Sequence, residues 1–435
     1  MKTMIISSNC SGGGKTTFTL GLMKALKNRK YDVQGYKVGP DYIDTGFHTE
    51  ITEKVSRNLD IHLMGEEGVK ASFSRGSGDL AVIEGVMGLY DGKGLDEDCS
   101  TYSVSKVLDD APILLVITPQ AQSLTLCAEI NGIKDFKDAN IVGVVLNCIS
   151  EGYYNLLKPA IEMHCKLKVF GYVPKDQNVN LESRHLGLVQ SVEVNNLKNK
   201  IDYLSKLIEE NIDLDAIIES FKEVRKFEDK YHLNSSNKRI AIAYDKAFRF
   251  YYKENLELLE EVGDVIYFSP LRDKKLPEGI DFLYLGGGYP EVFKDELSKN
   301  TEMITSIKQA LDNGLKCYAE CGGLMYLTEN IDGVKMVGFL SGNSEMTNRL
   351  NRFGYATLLF NNIEINCHEF HKSKVNSNEE TVYDVTKTSY TGDKINWKCG
   401  YKKNNTLAGY PHVHFFGNLE FIKNLLKSEE VRVKR

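Results

Sequence analysis

Three unbroken apolar runs, at residues 80–84, 112–117 and 141–146, constrain this chain's fold more than any other feature. A strand without polar alternation is covered on both faces, and such strands belong to parallel sheets flanked by helices. A fourth apolar run, 4–8, feeds a glycine-rich segment and then helical periodicity over 16–28. A further strand is expected at 33–37, and a helical pattern at 123–133 separates two of the runs. This βαβ series predicts an α/β domain with a doubly wound parallel sheet. The pattern breaks at 224–237, a polar and charged stretch, and a fresh strand opens at 239–243. A chain of 435 residues also exceeds the size at which one core stops growing, so two domains are expected, 1–235 and 236–435. The second half resumes alternation, with strands at 282–285 and 315–318 and helices at 304–312 and after Cys321. From residue 355 it becomes strand-rich, with a hairpin expected across Asn361-Asn362.

Charge and composition exclude several classes. A net charge of −6 offers no broad basic field for nucleic acid. No apolar run approaches the ~20 residues that cross a bilayer, and residues 1–6 lack the layout of a secretion signal, so a cytoplasmic protein without membrane contact is expected. Nine scattered cysteines with no CxxC pair predict reduced thiols rather than disulfides or zinc.

Two glycine-rich junctions carry the chemistry. Ser11-Gly12-Gly13-Gly14-Lys15-Thr16-Thr17 lies between a strand and a helix. Backbone N–H groups at such glycines converge on nucleotide phosphates, Lys15 neutralises β and γ oxygens, and Thr16 reaches Mg²⁺. Lys37 to Asp44 follows the second strand and Glu84 to Gly92 follows the third, where open α/β sheets gather ligands. Asp41 and Glu84 are candidate Mg²⁺ ligands, and Asp41, Tyr42, Asp44, Glu84 and Asp91 form a candidate carboxylate-activation group.

The second junction is Ala319-Glu320-Cys321-Gly322-Gly323, a strand entering a tight turn and then a helix. Small residues on either side of Cys321 relieve crowding at a strained elbow, and a helix N-terminus favours thiolate. Gly287 and Gly288, at another strand end, join Gly322 as candidate oxyanion donors. The base is expected in Tyr410-Pro411-His412-Val413-His414-Phe415, with His414 a packing or substrate neighbour.

These blocks, with Ser56 to Asp60 and His368-Glu369-Phe370-His371, resemble the cobyrinic acid a,c-diamide synthase family of cobalamin-pathway glutamine amidotransferases over nearly the whole chain. The resemblance implies a front domain similar to dethiobiotin synthetase and a rear domain of the class I glutamine amidotransferase type. It implies that Cys321, activated by His412, releases ammonia from L-glutamine. ATP–Mg²⁺ would then phosphorylate the a and c carboxylates of a corrinoid, cobyrinic acid, and ammonia would displace the phosphate. A sheltered route for ammonia and a homodimer are further expectations. One departure stands out: class I enzymes place a glutamate two residues after the base, where this chain has His414, so His412 is expected to lack its usual carboxylate orienter. The His368–His371 spacing on an extended segment sends the two imidazoles to opposite faces, which disfavours a shared metal. Two other tetrapyrrole amidations, on nickel-sirohydrochlorin or on the remaining side chains as in cobyric acid synthase, use similar motifs. A nucleotide switch of the chromosome-partitioning or division-site kind shares the phosphate-loop style, but it carries an early lysine where this chain has Cys10.

Overall fold

A computed structural model describes residues 1–176, 178, 183–184, 187–188 and 197–427. It divides into two compact units, one of residues 1–61 with 66–230 and the other of 62–65 with 231–435. The chain thus changes unit inside the polar 224–237 stretch, and it also lends a four-residue segment, 62–65, to the rear unit.

The first unit is built on a sheet whose strands are β1 (Lys2–Ser8), β2 (Val33–Val38), β3 (Arg57–Leu59), β4 (Leu80–Glu84), β5 (Ile113–Ile117), β6 (Ile141–Ile149) and β7 (Lys168–Pro174). Their spatial order is β3-β2-β4-β1-β5-β6-β7, all parallel, with the short strand Lys222–Glu223 antiparallel to β1. Every residue of β4 and β5 is buried, as their apolar sequence requires up to Glu84, the charged residue that closes β4. Each fully buried Ile, Leu or Val there contributes roughly 1.5–3 kcal/mol. Helix α1 (Lys15–Asn28) lays Phe18, Leu22 and Leu26 into the same core. The register pairs Ile6 with Glu84 and Lys37 with Glu84, so β1, β2 and β4 bring their functional ends to one edge.

The second unit holds a ten-stranded mixed sheet. Its parallel part runs Gly263–Phe268, Lys238–Ala243, Phe282–Leu285, Lys316–Glu320 and Thr406–Gly409. An antiparallel extension follows through Lys394–Lys403, Glu380–Thr388, Arg352–Phe360, Ile363–His371 and His412–Val413. Phe360 pairs with Ile363, and Asn361 and Asn362 both take positive φ (49° and 62°), the two-residue hairpin that the Asn-Asn pair predicts. Among the described residues no helix is long and apolar enough to cross a membrane.

Candidate active site

In the first unit β1 delivers the chain into the glycine loop at the carboxyl edge of the sheet. Gly12 and Gly14 hold φ of 76° and 93°, a region that disfavours side chains. At Gly13 a Cβ would stand 2.0 Å from Ser8 Oγ, and at Gly14 one would stand 2.2 Å from Asn147 Nδ2. The loop is pinned from outside by Thr118, whose Oγ1 donates to Gly13 O (3.1 Å) and accepts from Asn147 Nδ2 (2.9 Å). Lys15 opens α1, with Thr16 and Thr17 following, and folds its Nζ back to Cys10 O (2.8 Å) and Met87 O (2.5 Å). Burial, reinforced by the Lys37 ammonium, lowers the Lys15 amine to about 8.

Glu84 is the hub of this edge and is wholly buried. Its Oε1 accepts from Thr16 Oγ1 (2.5 Å) and Lys37 Nζ (3.0 Å), and its Oε2 lies 2.7 Å from His48 Nε2. Lys37 Nζ also meets Asp44 Oδ2 at 2.7 Å and Gly85 O at 3.0 Å. Burial alone would raise the Glu84 carboxyl; the Lys37 charge and the bonds from His48 and Thr16 outweigh it and hold it well below the ordinary range. The same carboxylates outweigh burial at Lys37 and keep its amine above its ordinary value. His48 is on helix α2 (Tyr42–Thr52), its other ring nitrogen 3.2 Å from Ser56 Oγ.

The remaining acidic candidates take other posts. Asp41 caps α2, its Oδ1 accepting from the N–H groups of Ile43 (2.7 Å) and Asp44 (3.0 Å), while its charge acts on Lys37. Tyr42 opens the helix. Asp91 Oδ2 accepts from Gly88 N (2.8 Å) and so fixes its own loop. Thr16 and Glu84 supply adjacent oxygen donors beside the phosphate loop, which suits Mg²⁺ held jointly with nucleotide phosphates. Asp41, spent on the helix cap, suits that role less well than its sequence position suggests.

In the second unit the Lys316–Glu320 strand ends at Cys321, which takes φ +47° and ψ −98°, outside the regions open to an L-residue. Such a conformation costs of order 1–3 kcal/mol and persists only where the surroundings fix it. Here Cys321 N donates to Gly409 O (2.7 Å), and Met325 N donates to Cys321 O (3.1 Å). At Gly323 a Cβ would fall 2.2 Å from Leu285 O, so the turn cannot carry a larger residue without moving that strand. His412 hydrogen-bonds Cys321. Burial would depress its imidazole, but the Cys321 sulfur and the Glu320 carboxylate outweigh this and raise it to about 10. Gly287 abuts the ring: a Cβ there would lie 2.4 Å from His412 Cε1. A Cβ at Gly322 would stand 3.0 Å from Gly288 N, so the three candidate oxyanion glycines surround the Cys321–His412 pair.

His412 lacks the usual carboxylate two residues on, but a different one stands beside it. Glu320 Oε2 lies 3.6 Å from His412 Nδ1, an ion-pair distance, and comes from the residue before the nucleophile rather than from the base's own strand. The position two residues after the base, His414, faces Glu254 Oε2 at 3.3 Å and bonds Phe416 N. His368 stacks on His412 with ring centres 5.0 Å apart, and its Nε2 is 2.8 Å from Tyr252 Oη. Burial and the charge of His412 keep His368 neutral, well below its ordinary value. His371 turns the other way, to Ser373 O (2.8 Å), Glu369 Oε2 (3.1 Å) and a stacked Tyr410 ring at 3.7 Å. Trp397 Nε1 donates to Glu369 Oε1 (3.1 Å).

The sequence reading gave no role of their own to Lys37 and Glu320, although both stand in its motifs, and it did not single out His48, Thr118 or Asn147. His48 had a legible signal, since it stands four residues after Asp44 and seven after Asp41 on one face of a helix.

The two sites define a nucleotide-binding unit joined to a glutamine amidotransferase unit. Residues 4–189 match the family model described as the CobQ/CobB/MinD/ParA nucleotide binding domain, and residues 239–419 match the CobB/CobQ-like glutamine amidotransferase domain. Curated relatives called cobyrinate a,c-diamide synthase align over the full chain. That of Clostridium acetobutylicum is 61% identical over 438 residues (98% of this chain, all of the relative). That of Clostridium tetani is 58% identical with the same coverage, and that of Listeria monocytogenes 41% identical over 99% of this chain. The chain belongs to the cobyrinate a,c-diamide synthase family.

Proposed function

We propose that this protein amidates the a and c carboxylates of cobyrinic acid in turn, with ATP energising each carboxylate and glutamine supplying the nitrogen. The observation that carries the reading is the strained Cys321 hydrogen-bonded to His412, in a chain whose other unit presents a phosphate loop.

In the amidotransferase unit, the Cys321 sulfur attacks the glutamine carboxamide carbon, and the backbone N–H groups of Gly287, Gly288 and Gly322 receive the oxyanion. The C–N bond breaks as His412 gives its proton to the departing nitrogen, which leaves as ammonia. Water then attacks the glutamyl thioester, His412 takes a proton back, and glutamate is released. In the nucleotide unit, Gly12 to Thr17 hold the triphosphate and Lys15 leaves its carbonyl partners for the β and γ oxygens. A substrate carboxylate oxygen attacks the γ-phosphorus and ADP departs; ammonia then attacks the acyl carbon of the mixed anhydride, and phosphate leaves with the proton that ammonia gives up. Bound Mg²⁺, held by Thr16 and Glu84 with the phosphates, would neutralise charge developing on the phosphoryl oxygens. Lys37, paired with Asp44, and His48 keep Glu84 ionised and aimed, while Asp41 and Asp91 hold the loops of the edge at which the incoming carboxylate docks beside Tyr42.

The test is product mass spectrometry with ATP, glutamine and a panel of tetrapyrroles, for the wild type and Cys321→Ala. The expected result is two amides on cobyrinic acid, with glutamine-dependent turnover abolished in the variant and ammonia-dependent turnover kept. Loss of both turnovers would contradict the division of labour. Two amides on nickel-sirohydrochlorin instead would keep the chemistry and overturn the substrate.

A further inference from the structure

Two residues after His412 this chain has His414 rather than a carboxylate, yet the structure places the Glu320 carboxylate beside the ring. We infer that Glu320 is the positioning carboxylate of this amidotransferase site, supplied from the nucleophile's own strand. This deepens the function proposed above and rests on it.

The case begins with cost. Glu320 is 1% exposed, and a buried carboxyl at the end of a core strand is expensive unless its oxygens are satisfied. Both are. Oε1 accepts from Tyr318 Oη (2.8 Å) and Val413 N (3.4 Å), while Oε2 accepts from Tyr284 Oη (3.0 Å) and faces His412 Nδ1 at 3.6 Å. Glu320 is bonded covalently to Cys321, and its side chain reaches both the base and the amide of the residue after the base. One carboxylate therefore sets the separation of nucleophile and imidazole.

The other groups facing His412 cannot substitute. Cys321 is the partner in catalysis, and the stacked His368 is held neutral by burial and by His412 itself. Two other buried carboxylates of the unit are engaged elsewhere, Glu369 by Trp397 and His371 and Glu254 by His414. The chemical consequence is that the protonated imidazole of His412 is stabilised beside the Cys321 sulfur. In the second half-reaction the same carboxylate stabilises the imidazolium that forms when water gives up its proton. Glu320 itself neither gains nor loses a proton in this scheme.

The experiment compares Glu320→Gln, Glu320→Asp and Tyr284→Phe with the wild type. Each is assayed for glutamine hydrolysis, and iodoacetamide alkylation of the Cys321 peptide is followed by mass spectrometry from pH 5 to 11. Glu320→Gln is expected to lower kcat roughly 10- to 100-fold with the glutamine KM within about threefold, since the lost contact touches the base and not the substrate. The pH at which His412 loses its proton, seen as a break in the alkylation profile, should fall from about 10 by roughly one unit or more. Glu320→Asp should recover part of kcat, and Tyr284→Phe, which keeps the carboxylate and removes one of its donors, should cost roughly 3- to 10-fold. The inference is overturned if Glu320→Gln keeps kcat within threefold with an unmoved break, or if a loss of activity follows only the folded fraction. Should Glu320→Gln misfold, Tyr284→Phe decides alone by the same criteria. Absence of glutaminase activity in the wild type would instead sink the parent reading, so the two failures are distinct.

Discussion

Replacing Lys37 with methionine keeps the length of the side chain and removes its charge from between two buried carboxylates. Nζ meets Asp44 Oδ2 at 2.7 Å and Glu84 Oε1 at 3.0 Å, and Glu84 is fully buried. Removing one partner of a buried ion pair costs about 3–5 kcal/mol, because the charge left behind is neither solvated nor paired. The cost depends on pH, and its sign follows from Glu84. In the wild type its folded carboxyl lies below the unfolded value, so its stabilisation is present above about pH 4.3 and fades as pH falls through the folded value. In Lys37→Met, burial without the ammonium raises the folded carboxyl above the unfolded value, so stability is lost as pH rises between the two. The gap between the proteins should therefore narrow on acidification, by up to about 1.4 kcal/mol per pH unit. Hydrogen exchange of the β1 and β4 amides measures this directly. At pH 7.5 their protection should drop roughly 10²- to 10⁴-fold, and the deficit should shrink by pH 5.5. A deficit below about 1 kcal/mol, or one that ignores pH, would refute the claim that Lys37 neutralises these carboxylates.

Two further outcomes are expected. With the Lys15 amine lowered to about 8, nucleotide phosphates should pull it back toward full protonation, so binding at pH 8 should take up about half a proton. Calorimetry in buffers of differing ionisation enthalpy reads this, and identical heats in all buffers would contradict it. Gly287→Ala places a methyl 2.4 Å from His412 Cε1, so the imidazole must turn away. Glutamine hydrolysis should fall at least ~100-fold while ammonia-dependent amidation continues, and an unchanged kcat would show that Gly287 does not abut the working base.

What the sequence disclosed, and what it hid, divides by range. Continuous apolar runs disclosed β4, β5 and most of β6, because a strand covered on both faces has no polar partner in its own alternation. Asn361-Asn362 disclosed its hairpin because few residues tolerate two successive positive φ values. The glycine loop and the cysteine elbow were legible because each is a local backbone problem with a local solution. Glu320 was not. Its partner lies 92 residues away, and only the sheet order puts His412 beside it. Lys37 and Glu84 were visible as strand ends, but only the order β2-β4-β1 makes them neighbours. The segment at 62–65 gave no sign of leaving its flanking residues, since Gly65 (φ 68°) breaks an otherwise helical stretch at a single point.

The lone tryptophan has an experimental consequence. Trp397 is the sole indole of the chain and belongs to the glutaminase half, hydrogen-bonded to a carboxylate and overlain by Arg352 at 4.8 Å. Intrinsic emission therefore follows the melting of that half alone, whereas the ATP half is dark at indole wavelengths. A denaturation curve recorded by fluorescence describes one lobe of this enzyme, and only its divergence from circular dichroism reveals what the other is doing.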